Sequence, residues 1–381
     1  MIHSYVKLFE QTRASGRQQY AAIPSVSEPR LILPLVDKRT FTSALQIQNT
    51  AAPINRLKKF ILGASYPLPS LLFKSQIISE TSLLQELLVF VSRQVQWNLP
   101  LIVSGYCGTE GKNRKLTLQV MKEGGEILGY IKIGDNPDAR SFMNREDLAC
   151  GLISQAGLIH IEVPQSLFFT EWNGFTVSVQ SNIGTKSKSI GYQLTELLTT
   201  ALIELADKSS VFKGKNDYLI NLSKKIDTNS ELFGNRLAAL VRESIRILQN
   251  TDFPLVYVHG DCVPYNVRER KNKLIVFDWE FFFSKGLLFF DIFHYLYQGH
   301  VQIHHSKPKE IVYRKIFDHR SNMKHLRAYA DHFHIPYSMI VHFFRLYLAE
   351  ECLTYNQFHP LKDPQENHFR SGLIESTLIV G

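Results

Sequence analysis

Residues 255–291 constrain the fold of this chain most, because short apolar runs alternate there with polar residues at fixed positions. Residues 255–258 have the length and apolar composition of a buried strand, which leads into His259, Gly260 and Asp261. Residues 267–268 and 274–277 also have strand composition. The polar residues 269–273 between them predict a hairpin loop.

The hairpin predicts where two polar side chains lie. Asn266 precedes its first strand and Asp278 follows its second, so antiparallel pairing brings both to the same end. An amide oxygen and a carboxylate at one point suit Mg²⁺, which prefers oxygen ligands and leaves room for substrate phosphates. Asp261, a few residues upstream, could take a proton from a hydroxyl that attacks a metal-bound phosphate. The alternative is that these residues serve only as turn residues between strands.

The pattern H-x-D-x-x-x-x-N with a downstream aspartate is typical of kinases. More narrowly, HGD-x-x-x-x-N followed by FDWE resembles the aminoglycoside phosphotransferase and choline kinase family. The resemblance covers about residues 101–356 and is specific only at these two segments. It implies a catalytic base at Asp261, Mg²⁺ ligands at Asn266 and Asp278, an auxiliary group at Glu280, and a structural role for His259 in the catalytic loop.

This resemblance implies an α+β, bilobal protein-kinase-like fold. We expect a small antiparallel β-sheet lobe that binds ATP at residues 96–183. A mostly helical C-terminal lobe at 184–381 would carry the catalytic loop and the acceptor site. Residues 1–95 lie outside the resemblance and are expected to form an N-terminal extension with its own elements. Residues 208–230, which are largely polar, predict a mobile connection between helices at 192–205 and 235–248.

The predicted ATP-binding lobe begins with a strand at 101–103 and a glycine-containing loop at 104–111. Gly108 and Gly111 are candidates for phosphate contact, although their spacing is looser than G-x-G-x-x-G. A hairpin of strands 116–121 and 127–133 follows. A second hairpin, at 167–170 and 175–180, leads to Gln180 and Asn182, where the resemblance places the backbone that meets adenine.

Lys132 lies within an apolar strand, and a half-buried ammonium group needs a partner. Glu146 supplies one, because it shares a helical stripe with Ala149 and Ile153 on a predicted helix at 141–156. In kinases such a pair positions the α- and β-phosphates of ATP. The alternative is a strand lysine and a glutamate that both face water.

Several features of residues 1–95 predict local structure. Residues 30–36 favour a strand, and Pro34 argues for an edge position. Residues 82–85 have a capping-box pattern that opens an apolar helix to about residue 95. The basic and apolar residues 56–62 fit a contact with an anionic membrane surface or an acidic partner. Peripheral association with a membrane or a lipid-linked glycan is therefore one partner that we consider. A short surface helix packed on the main body is the interpretation we favour.

Composition excludes several classes of protein. The net charge is +8 and the sequence pI is about 9.1, which favours anionic partners. No zinc-finger or RNA-binding signature accompanies the charge, so nucleic acid is not an expected partner. Four cysteines without paired spacing and the absence of a signal peptide favour a reducing cytoplasm. His300, His304 and His305 lack an accompanying carboxylate or cysteine and are expected to be surface residues rather than metal ligands.

The resemblance also bears on the kind of kinase. Gly260 stands where regulated protein kinases carry an arginine, and no long activation segment follows Asp278. We therefore expect an enzyme that transfers phosphate from ATP to the hydroxyl of a small molecule. The acceptor that we favour is a sugar or a sugar-containing metabolite. The alternatives are a choline- or aminoglycoside-type kinase, or a pseudokinase that binds nucleotide and serves as a scaffold. The oligomeric state cannot be derived from the sequence.

Overall fold

The structure is a computed structural model that describes residues 7–10, 17–25, 27–47, 60–67, 69, 74–108, 111, 113–184, 186–303, 311–358 and 373–379. The chain forms two compact units. The first comprises Met1–Leu152 and Val163–Thr185, and the second comprises Ile153–Glu162 and Lys186–Gly381. The first is built on an antiparallel sheet and the second is mostly helical, so the predicted α+β fold class is confirmed.

Nine strands among the described residues form one sheet in the first unit. They are β1 (Phe9–Glu10), β2 (Gln19–Ile23), β3 (Leu31–Pro34), β4 (Gln76–Glu80), β5 (Ile102–Cys107), β6 (Leu116–Met121), β7 (Ile127–Gly134), β9 (Ser166–Trp172) and β10 (Phe175–Ser181), while β8 (Ile161–Glu162) belongs to the second unit. Their order across the sheet is β1-β4-β2-β3-β5-β6-β7-β10-β9, and every neighbouring pair is antiparallel.

Strands from residues 1–95 continue the sheet of the predicted ATP-binding lobe. β3 pairs with β5, so that Leu31 lies opposite Tyr106 and Ile32 opposite Gly105. The described part of the predicted extension therefore belongs to the same compact unit as β5, and the sheet is larger than the small lobe we expected. The expectation that Pro34 places its strand at an edge is wrong, since β3 lies between β2 and β5. Pro34 is tolerated because it ends the strand, beyond the two residues that pair with β5.

Helices cover both faces of this sheet. Side chains alternate along β3, so Leu31 and Leu33 pack with α1 (Lys38–Ala44), while Ile32 packs on the opposite face with α2 (Ser82–Val95). The predicted capping box at 82–85 does not form, because the helix begins one residue earlier and its N3 residue is Leu84 rather than Gln85. The hydroxyl of Thr81, rather than Ser82, accepts the N–H of Leu84 at 3.4 Å.

Two further elements of the first unit position candidate residues. The predicted hairpin of β6 and β7 is present, and it is followed by α3 (Pro137–Gln155). The strand predicted at 101–103 instead continues to Cys107, so much of the predicted glycine-containing loop is sheet. An added Cβ at Gly105 would lie 3.2 Å from the Cβ of Ile32, which ties this glycine to strand packing.

The second unit contains most of the helices. They are α4 (Glu196–Ser209), α5 (Lys215–Thr228), α6 (Ser230–Gln249), α7 (Phe290–Gln298), α8 (Arg320–His332) and α9 (Ile340–Phe358). The presence of α5 contradicts the mobile connection expected at 208–230. This helix buries only Leu219, Leu222 and Ile226, which are spaced for one narrow stripe, and its other positions are polar apart from Tyr218 and the exposed Ile220.

Short strands of the second unit frame the catalytic-loop motif. β11 (Lys188–Ser189), β13 (Val267–Arg270), β14 (Lys273–Val276) and β8 form one sheet, and β12 (Val256–Val258) pairs with β15 (Phe283–Gly286). The loop between β13 and β14 is only Lys271 and Asn272, whose φ angles are 49° and 59°. The predicted five-residue loop was too long, because charged residues of this hairpin belong to the strands.

The basic segment predicted at 56–62 is described only in part. Residues 60–64 are helical, and the side chain of Leu62 is buried in the cluster that contains α1, whereas residues 56–59 lie outside the described residues. Across the described ranges, no helix is long and apolar enough to cross a membrane.

Candidate active site

Lys132 and Glu146 form a buried ion pair in the first unit. Lys132 is on β7, and its Nζ donates to Glu146 Oε1 at 2.5 Å and to Oε2 at 2.7 Å. Their side chains are 10% and 2% exposed, so both charges are largely removed from water. The predicted strand-to-helix pairing is therefore present, and the alternative in which both residues face water is not.

The other candidate nucleotide-binding residues of the first unit are Gly108, Gly111, Gln180 and Asn182. Gly108 follows β5, and its N–H donates to Lys115 O at 3.3 Å; Gly111 is half-buried. Gln180 lies within β10, where its side chain is 4% exposed and its Nε2 has no hydrogen-bond partner among the described residues. Asn182 follows this strand, and its Nδ2 donates to Ile127 O at 3.0 Å. The backbone of β10 pairs with β7 on one side and β9 on the other, so Gln180 lies inside the sheet and not at its edge.

Asp291 holds the His-Gly-Asp loop of the second unit through two hydrogen bonds to the loop backbone. Asp291 begins the first turn of α7 and accepts the N–H of His259 at 2.8 Å and that of Gly260 at 3.1 Å. Burial raises the pKa of Asp291, while the two backbone N–H groups that it accepts act in the opposite direction. Each carboxylate oxygen thus holds one amide of the loop, which fixes the backbone that carries Asp261.

His259 ties this loop to the segment before Asp278. Its Nε2 lies 2.8 Å from Phe277 O, and its Nδ1 accepts the N–H of Asp261 at 3.1 Å. These partners require a proton on Nε2 and none on Nδ1, which is the neutral imidazole. His259 is 1% exposed, so both ring nitrogens are satisfied inside the protein. This geometry fits the structural role that the family resemblance implied.

Asp261 and Asn266 are in direct contact. The Nδ2 of Asn266 donates to Asp261 O and to Asp261 Oδ2, both at 3.0 Å. Both acceptors are oxygens, so the amide nitrogen must face Asp261, and the Oδ1 of Asn266 points to the other side. An amide oxygen so oriented has the chemistry of a Mg²⁺ ligand.

Asp278 follows the other strand of the hairpin, as the sequence predicts. Val267 pairs with Val276, and the N–H of Phe277 donates to Asn266 O at 2.9 Å, so Asn266 and the residue before Asp278 are neighbours. Asp278 has φ 63° and ψ 56°, a left-handed conformation that Asp and Asn adopt more readily than most residues. Glu280 follows within a short helical turn and is 7% exposed.

These residues fit a Mg²⁺ ion that completes its shell with phosphates and water. Asn266 would contribute Oδ1 and Asp278 a carboxylate oxygen, which is the small protein share typical of nucleotide-bound Mg²⁺. Within the described part of the chain, no group of three or more His, Cys, Asp or Glu could hold a metal by itself. His300 is 5% exposed, so the expectation of a surface position is wrong for it, and His304 and His305 lie outside the described residues.

Sequence reasoning missed a third partner of Asp261. His294 on α7 places Nε2 3.2 Å from Asp261 Oδ1, while its Nδ1 lies 3.4 Å from Glu351 Oε1 on α9. His294 lies in an apolar, aromatic stretch, and only its polarity within that stretch signalled a function. Cys262, next to Asp261, is not a nucleophile candidate, because burial raises the pKa of its thiol.

Several solved structures are similar to this chain over about three quarters of its length. The chain is similar to a protein assigned as a fructosamine-3-kinase from Haemophilus somnus 129PT (TM-score 0.49, 11% identity, 76% of this chain and 95% of the other). It is also similar to an aminoglycoside phosphotransferase in complex with GDP and kanamycin (TM-score 0.48, 11% identity, 78% and 99%). A third similar structure is the amicoumacin kinase hAmiN with AMP-PNP, Ca²⁺ and Ami (TM-score 0.45, 15% identity, 77% and 93%). No family model matches the sequence, and no curated protein matches it.

Proposed function

We propose that this protein is an ATP- and Mg²⁺-dependent phosphotransferase that moves the γ-phosphoryl group to a hydroxyl of a small molecule. The observation that carries the proposal is the contact between Asp261 and Asn266. It fixes a carboxylate oriented for a hydroxyl and an amide oxygen oriented for a metal, next to a second carboxylate at Asp278.

Asp261 is the proposed base of the transfer. Its side chain is 28% exposed, so an acceptor hydroxyl can reach an oxygen that already accepts from Asn266 or His294. Asp261 takes the hydroxyl proton while the new O–P bond forms and the bond from the γ-phosphorus to the bridging oxygen breaks, which releases ADP. The backbone bonds to Asp291 hold this carboxylate in place for the reaction.

Asn266 Oδ1 and Asp278 are the proposed Mg²⁺ ligands, with Glu280 as an auxiliary group. Mg²⁺, when bound, would neutralise the negative charge that develops on the phosphates during transfer. Lys132, braced by Glu146, is the proposed contact to the α- and β-phosphates. The ion pair keeps the lysine charged in a buried position, where its interaction with a phosphate is only weakly screened. Gln180 and Asn182 are the proposed location of the adenine, and Gly108 and Gly111 of further phosphate contacts.

The preferred acceptor is a sugar or a sugar-containing metabolite. The net charge of +8 disfavours a polycationic acceptor, which would be attracted by an acidic surface instead. An activity of the choline or aminoglycoside type is the alternative within the same chemistry. The joint presence of the side chains proposed for transfer disfavours the alternative of a scaffold that only binds nucleotide; they are Lys132, Glu146, Asp261, Asn266 and Asp278.

The test measures transfer from γ-labelled ATP to a panel of sugars, amino alcohols and aminoglycosides, with and without Mg²⁺. We expect labelled product from at least one hydroxyl acceptor, and slow ATP hydrolysis without acceptor. Asp261→Asn should lower kcat by about 10²–10⁴-fold. Asp278→Asn should abolish the Mg²⁺-dependent activity, and asparagine is chosen because it tolerates the left-handed backbone at this position.

Asp217→Ala, which removes an exposed carboxylate on α5, is the matched control and should leave turnover unchanged. If ATP binds but neither hydrolysis nor transfer occurs under any of these conditions, the scaffold alternative replaces the proposal. If Asp261→Asn retains full turnover, Asp261 is not the base.

A further inference from the structure

His294 lies buried between two carboxylates. It is 3% exposed, with Nε2 3.2 Å from Asp261 Oδ1 on one side. On the other side, its Nδ1 lies 3.4 Å from Glu351 Oε1 and 3.3 Å from the hydroxyl of Tyr347. The aromatic ring of Phe290 stacks on the imidazole at 6.0 Å. The residue is therefore enclosed by acidic and aromatic groups from three elements.

This arrangement selects the charged form of the imidazole. A neutral ring that donates from Nε2 to Asp261 could accept from the Tyr347 hydroxyl at Nδ1, but it would still present that lone pair to the Glu351 carboxylate. The imidazolium donates on both sides. Burial opposes the charge, but Glu351 and Asp261 outweigh burial and raise the pKa of His294 to about 10. Asp291, one turn earlier on α7, is the further acidic group whose charge His294 influences.

We propose that His294, held as an imidazolium by Glu351, is a positioning residue that orients the carboxylate of Asp261 for its role in phosphoryl transfer. The inference rests on the proposed function. His294 fixes Oδ1 and Asn266 fixes Oδ2, so the plane of the carboxylate is set from both sides. Each carboxylate oxygen of Asp261 accepts one of these hydrogen bonds and keeps a second lone pair. A substrate hydroxyl can donate to that lone pair.

A purely structural role does not account for this choice of residue. Buried charged groups lose hydration, and well-packed apolar side chains of similar volume are often as stable or more stable. The surroundings of His294 include Phe290, Phe293 and Tyr347, whose rings would accept another aromatic residue. A buried histidine linked to a half-buried carboxylate that substrate can reach is explained by what it does to that carboxylate.

The first test replaces His294 by glutamine, which can donate to only one of the two carboxylates. The readout is Mg²⁺-dependent ATP hydrolysis with water as the acceptor, measured as kcat and as KM for ATP. We expect kcat to fall by about 10–100-fold, since a displacement of a catalytic group by about 1 Å can cost that much. The KM for ATP should stay within about twofold, because His294 contacts the base and not the nucleotide.

Two control variants separate this role from general damage to the core. His325→Gln removes another buried histidine, 8% exposed, whose Nδ1 lies 3.0 Å from the hydroxyl of Thr199, and it should leave kcat unchanged. Glu351→Gln leaves both donors to Asp261 in place but removes the charge that holds the imidazolium, so kcat should fall. Its neighbour variant Glu350→Gln, on the same helix, should not lower kcat.

A double-mutant cycle tests whether His294 acts through Asp261. In the Asp261→Asn background, the added His294→Gln should lower the remaining hydrolysis by less than about twofold, because the group that His294 positions is gone. A full additional loss would show that His294 acts elsewhere and would overturn the inference. Unchanged kcat in both His294→Gln and Glu351→Gln would overturn it as well.

A spectroscopic measurement on the full chain needs no turnover. The ¹⁵N signals of the His294 imidazole, assigned by their loss in His294→Gln, should show two protonated nitrogens at pH 8. They should change in Glu351→Gln and Asp261→Asn, even if one of these variants is inactive or less stable. A neutral ring at pH 7 in the wild-type protein overturns the inference while leaving the proposed function intact. A wild-type protein with no ATP turnover or transfer overturns the proposed function, and with it any role of His294 in transfer.

Discussion

Gly260→Ala is the substitution whose effect follows most directly from the coordinates. Gly260 has φ 79°, and a Cβ added to it would lie 2.3 Å from Phe281 O and 2.9 Å from Phe281 Cβ. Ordinary van der Waals contact begins near 3.4 Å. The added methyl group and the Phe281 carbonyl must therefore separate by about 1 Å, because repulsion rises steeply at shorter distances. Both atoms belong to backbone segments or are attached to them, so no flexible side chain can relieve the contact.

Two contributions set the expected loss of stability. A left-handed backbone costs an alanine about 1–2 kcal/mol. Forcing an extra carbon into a packed site costs about 1–3 kcal/mol more. We therefore expect the free energy of unfolding to fall by about 2–5 kcal/mol. Because Gly260 precedes Asp261, a shift of about 1 Å should also lower the rate of ATP turnover by about 100-fold.

Gly174→Ala is the matched control, since Gly174 has the same φ of 79° and nothing lies within 4 Å of its added Cβ. Urea unfolding followed by tryptophan fluorescence, with Mg²⁺-dependent ATP hydrolysis on the same samples, measures both effects. The control should lose only the backbone contribution. If the two alanine variants unfold within about 0.5 kcal/mol of each other, steric contact at Gly260 is not what demands glycine.

Three further outcomes follow from buried charges. Lys132→Met should destabilise the protein by about 3–5 kcal/mol, because Glu146 is left charged and buried. Adding Glu146→Leu should restore much of the stability but no turnover, and a lower melting temperature for the double variant than for Lys132→Met would contradict this. Burial raises the pKa of Glu350 to about 7, so in the folded state its ionisation is opposed and the wild-type protein loses stability as pH rises from about 4.5 to 7. Glu350→Gln should therefore gain about 3 kcal/mol over wild type at pH 8 and nothing below pH 4.5, and a pH-independent difference in urea unfolding would refute the assignment. Asp291→Asn should lower the free energy of unfolding by about 1–3 kcal/mol, since its NH₂ group must face one of the two loop N–H groups that now donate to the carboxylate. Turnover should fall as well, and unaltered turnover would show that the loop does not depend on Asp291.

Patterns with short sequence separation were predicted best. The hairpin of β13 and β14 brings the neighbours of Asn266 and Asp278 together, as strand composition and the polar flanks indicated. Lys132 and Glu146 were matched from strand alternation and a helical stripe, because each pattern is local and both ends need a charge partner. Their roles toward ATP remain predictions.

Contacts across long separations were not predictable. His294 and Asp261 are 33 residues apart, and nothing local to either residue specifies the other. The helix α5 was missed because its few buried residues are outnumbered by polar ones, so composition outweighed periodicity. The position of β3 inside the sheet was missed because Pro34 was weighed as if it lay at the centre of the strand, although the pairing with β5 ends before it.

The pairing of β3 with β5 has a practical consequence for anyone who shortens this protein. A chain that starts at residue 96 would keep the motif-bearing portion but lose the partners of Tyr106 and Gly105, together with α2, whose leucines cover one side of β5. The bared strand would offer its backbone amides and carbonyls to other molecules, a common origin of aggregation. Binding or activity studies should therefore keep β3 and α2 in the chain.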